Sequence, residues 1–301
     1  MPDKTDIVRI IESHIRTIDY YTTTVELAFF GGNFTGIPIE EQIALLSLIK
    51  PYIKNGFVKH IRISTRPDYI NTFKLELLKK YDVKTIELGV QSLDDEVLKK
   101  SGRGYTSKDV YDACTLIKSY GFELGLQMMI GLPGDCLEKS CYTAQKIIAY
   151  GATLTRIYPL LVIKDTLLED MYREGIYTPL TLAEAVDWGA AIFKIFNHNS
   201  VNVIKMGLHP AEELRNGDSV VAGPFHQSFA ELVYTSLWKE KLEVLNSPLK
   251  NLATIYVHPL DYNHAIGYKA ENKKLLLKSF KKVKFLSDNT LKRFQFYVNY
   301  S

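Results

Sequence analysis

Polar residues close the apolar runs of this chain in an ordered way, and they are where its chemistry would be done. GGNFT (31–35), STRPD (64–68), ELGVQS (87–92), GLQMMIGLPGD (125–135) and RIYP (156–159) each end a short hydrophobic stretch. Glu87, Gln91 and Gln127 lie inside such stretches, where a polar group buried without a partner costs roughly 1–3 kcal/mol. Either these groups bond one another across the interior, or a ligand supplies the partners. Recurrence of the same feature at five strand ends favours a ligand. Other chemistries are poorly served. There are no paired carboxylates with a base, no nucleophile elbow and no lysine set alone at a strand end, which argues against a hydrolase or an aldolase. Cys114, Cys136 and Cys141 form no CxxxCxxC pattern and read as small, half-buried thiols. His209, His226, His258 and His264 match no zinc spacing and read as loop and surface histidines.

The elements that must hold these residues alternate. IVRIIESHIRTI has helical spacing, and Val25 to Phe30 is a short strand stopped by Gly31 and Gly32. Helix IEEQIALLSLIKPYI, strand VKHIRIS, helix NTFKLELLKKY and strand Thr85 to Gln91 follow. A helix from Ser107 to Tyr120 stops at Gly121, and strand FELGLQMMIGLP, helix CLEKSCYTAQKIIAYG and strand TRIYPLLVI complete the series. Strands recurring roughly every 30 residues, each followed by a helix, are the signature of parallel βα units. Periodicity leaves a barrel and a doubly wound sheet both open.

Composition sets the outer limits. The 301 residues, 46% hydrophobic and 24% charged, suffice for a barrel-sized domain with a small appendage. A formal charge of +3 is too mild to imply nucleic acid by itself. Three cysteines argue against a secreted disulfide framework, so a reducing cytoplasm is the expected setting. No basic start followed by an apolar run, and no long uninterrupted apolar stretch, suggests export or membrane spanning.

Taken in order, GGNFTG, IRISTRPDYI, TIELGVQSLDDEVLKKSGRGYT, GLQMMIGLPGD and RIYPLLVIKDT resemble the radical S-adenosylmethionine (radical SAM) core of the Elongator catalytic subunit and its bacterial relatives. More distantly, they resemble oxygen-independent coproporphyrinogen oxidase. The resemblance spans roughly residues 5–180. It implies an α/β fold, a partial parallel (β/α)6 TIM-like barrel here missing its first strand. It also implies S-adenosylmethionine across the strand ends. Carried over by position, the backbone of Gly31 and Gly32, with Asn33, would meet the methionine amino group. Arg103 would hold the carboxylate, for which a guanidinium fork is suited, and Gln91 matches the glutamine at the end of strand four. Ser64 stands where relatives often have glutamate, and Gln127 where the porphyrinogen type has aspartate. Arg156 and Tyr158 would line the mouth. The family's four-iron, four-sulfur cluster needs three cysteine thiolates, commonly CxxxCxxC, and this chain has no such motif. The resemblance places that loop upstream of Met1. The expectation is therefore an N-terminally shortened chain, inactive alone, whose complete form would need an electron donor. A cluster-less protein that binds S-adenosylmethionine or RNA is the alternative. No acetyltransferase domain of the Elongator kind is recognisable.

The expected domains are a barrel over 1–200, holding strands two to six, and a small α+β domain over 201–301. VNVIKMGL reads as a strand, QSFAELVYTSLWKEKL as a helix, and NLATIYVHP, KKVKFLSD and RFQFYVNY as further strands. Lys273, Lys274, Lys278, Lys281, Lys282, Lys284 and Lys292 cluster there, with Phe280, Phe285, Phe294 and Phe296 interleaved. Such a segment either holds RNA, with phosphates on lysines and bases on aromatics, or is a solvated lysine face over packed phenylalanines.

Overall fold

A computed structural model describes residues 4–19, 22–208, 219–245 and 251–301. The chain divides into two compact units, one of Met1–Met129, Pro133–Arg156 and Ile195–Ile204, the other of Ile130–Leu132, Ile157–Lys194 and Lys205–Ser301. In chain order the strands are β1 (Glu26–Phe29), β2 (His60–Thr65), β3 (Val83–Gln91), β4 (Glu123–Ile130), β5 (Leu154–Pro159), β6 (Val162–Ile163), β7 (Asn202–Met206), β8 (Val220–Ala222), β9 (Leu252–Val257), β10 (Lys282–Ser287) and β11 (Phe296–Tyr300). Six of them form one sheet in the order β1-β2-β3-β4-β5-β7. The order never reverses, as it would in a doubly wound sheet. It is the succession of a parallel sheet curling into a partial barrel.

Helices α1 (Lys4–Ile15), α2 (Ile39–Lys54), α3 (Thr72–Lys80), α4 (Asp95–Lys100), α5 (Ser107–Ser119) and α6 (Leu137–Ala149) belong to the first unit. Their starts are set locally. Asn71 and Asp94 accept from the backbone of Lys74 and Val97, and Thr106 with Asp109 closes a full capping box on α5. The run TRIYPLLVI is two strands, β5 and β6, and β7 joins the large sheet as its sixth member.

Strand alternation sorts the first unit's residues onto two faces. Ile61 and Ile63 of β2, Ile86 and Leu88 of β3, and Leu124 and Leu126 of β4 are buried on one face. The other carries Arg62, Ser64, Thr85, Glu87 and Gln127, an arrangement no apolar core would tolerate unless every group were paired. Glu87 is the centre. It is fully buried and accepts from Arg62 Nη1 at 3.0 Å, Gln127 Nε2 at 2.9 Å and Arg156 Nε at 2.6 Å, with Arg156 Nη2 on its second oxygen at 3.1 Å. Arg62 also bonds Glu26 through Nε at 3.1 Å, and Gln127 bonds Ser64 Oγ at 2.9 Å. The network thus crosses five neighbouring strands. Gly125 stands opposite Glu87 in register, and a Cβ there would lie 2.8 Å from Glu87 Cγ and 2.4 Å from Leu154 Cδ1. Glycine leaves the room that the side chains of Glu87 and Leu154 occupy.

The second unit holds α7 (Leu167–Arg173) and α8 (Leu182–His198, up to Lys194), and then a small α+β assembly. Strands β10-β9-β11 form a sheet in which β10 runs parallel and β11 antiparallel to β9. Its inner face, Ala253, Ile255, Val257, Val283 and Phe285, packs on Trp238 and Leu242 of the helix Phe229–Leu242 and on Phe280. Phe294 and Phe296 pack against the same core. For these four phenylalanines the packed alternative therefore holds, and the lysines are left as a surface. No helix among the described residues is long and apolar enough to cross a membrane.

Burial pushes the Glu87 carboxyl up, but the bond and charge of Arg156, with Arg62 and Gln127, outweigh it and the net shift is downward. A carboxyl depressed in the folded state contributes stability that is complete above its unfolded value of about 4.3. That contribution is lost as pH falls through the folded value. Glu87→Gln should lower unfolding free energy at pH 7 by about 3–5 kcal/mol, as measured by urea denaturation, because it strips a buried, shared carboxylate from two partly buried guanidiniums. Repeated at falling pH below about 4.3, the gap between wild type and variant should narrow.

Candidate functional site

Ser64, Gln127 and Arg156 meet in the structure, but around Glu87: Gln127 and Arg156 bond its carboxylate, and Ser64 joins through Gln127. The residues expected to contact a cofactor there bond one another, which was one of the two arrangements open from sequence. Arg156 also lies over the Phe30 ring, 4.4 Å from its centroid. Arg62, which sequence reasoning passed over, belongs to the same network. Its signal was a charged residue alternating with isoleucines in HIRIS, hence on the same face as Ser64.

A second group forms around the turn after β1. Asn33 Oδ1 accepts from Thr65 Oγ1 at 2.6 Å and from the Arg66 amide at 3.3 Å, and Thr35 and Thr65 share a hydroxyl bond at 2.5 Å. Asn33 thereby pins the turn to the end of β2. Gly31 has φ +94°, which a side chain would resist, and a Cβ on Gly31 or Gly32 would meet nothing within 4 Å. Gly32, Asn33 and Ser64 border a cavity of about 250 Å³ whose other walls are apolar, from α1 (Ile7, Ile10, Ile11) and β1.

Arg103 is of a different kind. It sits between α4 and α5, flanked by Gly102 and Gly104 at φ +64° and +74°. Its carbonyl accepts from Arg66 Nη2 at 2.9 Å, while Arg66 itself is held bidentately by Asp68 at 2.9 and 2.8 Å. Among the described residues the Arg103 guanidinium bonds Met129 Sδ, at 3.4 Å, and its buried Nε has no hydrogen-bond partner. Burial lowers its pKa from the ordinary guanidinium value, and Arg66 adds to the effect against an opposing pull from Tyr105. Among the described residues no carboxylate pairs with it. A half-buried cation without a counter-ion fits an anionic ligand group.

Gln91 ends β3 at φ +65°, in a bulge between Gly89 and Gln91. A left-handed glutamine is strained, and strain of this kind concentrates at functional sites. Its Nε2 lies 2.8 Å from where a Cβ on Gly89 would be, so that glycine makes room for the amide. Tyr105 fixes this strand end by donating to the carbonyl of Gly89 at 2.8 Å. Tyr158 lies on β5, two residues beyond Arg156.

The thiols do not make a cluster site. Cys114 is buried in α5, where burial pushes its thiol up to about 12, away from the thiolate an iron ligand must be. Cys136 is the N-cap of α6 and Cys141 lies inside that helix, its thiol also raised by burial. Among the described residues no three His, Cys, Asp or Glu side chains are arranged to hold a metal ion. The residues present therefore do not fit a four-iron cluster. His226 and His258 accept from the backbone of Ser228 and Leu260, and His264 stacks on Tyr234 with centroids 4.2 Å apart. His209 lies outside the described residues.

Comparison with known proteins agrees with this fold. The family profile "Radical SAM superfamily" matches residues 3–143, and "Radical_SAM C-terminal domain" matches 152–239. The chain is 29% identical over 185 residues to a tRNA uridine(34) acetyltransferase of Dehalococcoides mccartyi, covering 55% of this chain and 40% of that protein. It is 26% identical over 201 residues to Elongator complex protein 3 of Schizosaccharomyces pombe, covering 60% and 37%. This chain thus spans about two fifths of the length of these curated relatives. The solved structure of Methanocaldococcus infernus Elp3 with an N-terminal deletion superposes with a TM-score of 0.63 at 25% identity, over 77% of this chain and 58% of that one. Matched sequence profiles over both halves and a shared partial barrel lead to one conclusion: the chain belongs to the radical SAM superfamily.

Proposed function

We propose that this chain supplies the S-adenosylmethionine seat of a radical SAM enzyme that modifies RNA. The observation that carries the reading is Arg103, a half-buried guanidinium that has an orphaned Nε and no carboxylate partner among the described residues. It would take the carboxylate of the cofactor. The open backbone at Gly31 and Gly32, with the turn that Asn33 pins, would take the amino group. Gln91, strained at the end of β3, and the hub residues Ser64, Gln127 and Arg156, with Tyr158, would border the adenosine or the substrate. Within this superfamily the bound cofactor supplies hydrogen-abstracting radical chemistry. This chain's own part is to bind and orient. Similarity to tRNA-modifying proteins supports an RNA substrate, and the lysines of the C-terminal segment supply phosphate contacts. Three free thiols suit a reducing cytoplasm.

A second reading rests on the placement of the cysteines. With no cluster site built from its own side chains, the chain alone would bind S-adenosylmethionine and not cleave it, acting as a binding protein. Anaerobic incubation with iron and sulfide tests the second reading, which predicts no uptake of a stable cluster by this chain.

Calorimetric titration with S-adenosylmethionine tests the seat. Arg103→Ala should weaken binding by about 2–5 kcal/mol, the range for removing one partner of a desolvated charge pair. Unchanged affinity would withdraw Arg103 from the site.

A further inference from the structure

The outer face of the β10-β9-β11 sheet is unlike the rest of the surface. Alternation turns Thr254 and Tyr256 of β9 away from the buried Ala253, Ile255 and Val257, and it turns Lys282, Lys284 and Leu286 of β10 away from Val283 and Phe285. On β11, Phe296 and Val298 pack inward, which leaves Tyr297 and Asn299 outside. Register sets these residues in rows. Tyr256 lies between Leu286 and Tyr297, and Thr254 between Lys284 and Asn299, while Lys282 pairs with Leu252. The two tyrosine rings are stacked with centroids 4.6 Å apart and planes 8° from parallel. Tyr297 is 41% and Leu286 43% exposed. Tyr256 backs one face of the Tyr297 ring, and Tyr297, on the edge strand β11, has a second face on which a planar group can lie.

Charge says what that group is attached to. Residues 251–301 hold nine Lys and Arg against three Asp and Glu, whereas the whole chain holds 37 against 34. Of the three acids, Asp261 is buried and paired with Arg293, and Asp288 is bound by Thr290 and by the Tyr297 hydroxyl, which donates to it at 3.0 Å. Lys282 and Lys284 are exposed, as are Lys274, Lys278 and Lys281 leading up to them. A flat sheet face with stacked aromatics in one row and ammonium groups in the next matches a chain of bases on phosphates.

We propose that this face binds single-stranded RNA, with a base stacked on the Tyr297 ring that Tyr256 backs and phosphates on Lys282 and Lys284. The proposal deepens the reading above and rests on it only for the choice of RNA. Thr254 and Asn299 share the row of Lys284, next to the aromatic row, where their polar groups reach base edges or ribose hydroxyls. The aromatic platform is made by tyrosines of this sheet, because the phenylalanines of the same segment are committed to the core.

Fluorescence anisotropy of labelled oligouridine and oligoadenosine with the full chain tests it. Tyr256→Ala and Tyr297→Ala should each weaken binding about tenfold at fixed salt. Tyr297→Phe, which keeps the ring and loses the bond to Asp288, should bind like wild type. Lys282→Glu with Lys284→Glu should flatten the dependence of log K on log salt by about 1.4, two phosphates' share for a single strand. Heparin, an anion without bases, should bind the alanine variants as it binds wild type. RNA binding that survives both alanine substitutions in folded protein would overturn the proposal while leaving RNA as a substrate. Failure of the full chain to bind either oligonucleotide would overturn both this face and the RNA substrate. Neither result touches the S-adenosylmethionine seat, which is read by its own titration.

Discussion

A carboxylate removed from water stays ionised only where cations and donors replace the water it has lost, and Glu87 is held under that constraint. Two guanidiniums and an amide surround it. The pairing is weak evidence for net stability, since desolvating three ions consumes much of what their attraction returns. Its consequence is geometric. A single carboxyl bonded from β2, β4 and β5 admits one relative placement of those strands, and with Glu26 the constraint extends to β1. The polar residues at the strand ends inherit their positions from it.

This constraint separates two kinds of arginine. Arg62 and Arg156 face a carboxylate made by the protein and work within the sheet. Arg103 faces none among the described residues, and the glycines on either side of it, together with Arg66 locked on Asp68, hold its backbone where a guanidinium is partly withdrawn from water. Ionic groups that hold a fold together are paired within it, and a group kept unpaired is available to a ligand. The strained Gln91 and the open backbone at Gly31 and Gly32 lie at strand ends of the same sheet. By contrast, burial raises the thiols of Cys114 and Cys141.

Much of this was legible in the sequence, and the remainder was hidden for identifiable reasons. The alternation of apolar runs with helical periods gave the strands of the large sheet and most helices, since each is a local signal. The role of Glu87 was not legible, because register between strands separated by a helix decides which side chains face each other. ELGVQS and HIRIS do not record that Ser64 lies opposite Glu87. Arg103 could be singled out only through the resemblance carried by SGRGYT. In the C-terminal segment, the period of two in KVKFLS already set lysines against Val283 and Phe285. The stacking of Tyr256 on Tyr297 joins strands far apart in the chain, and no local pattern announces it.

The central claim is that Arg103 serves the amino-acid end of S-adenosylmethionine, and a ligand that lacks that end tests it most directly. Methylthioadenosine retains the adenosine and loses the carboxylate and amino groups. Calorimetry of both ligands against wild type and Arg103→Ala should show S-adenosylmethionine alone losing affinity on the variant, with methylthioadenosine bound equally by both proteins. An equal loss for the two ligands would contradict the account, because Arg103 would then act on the adenosine or on the fold and not on the carboxylate.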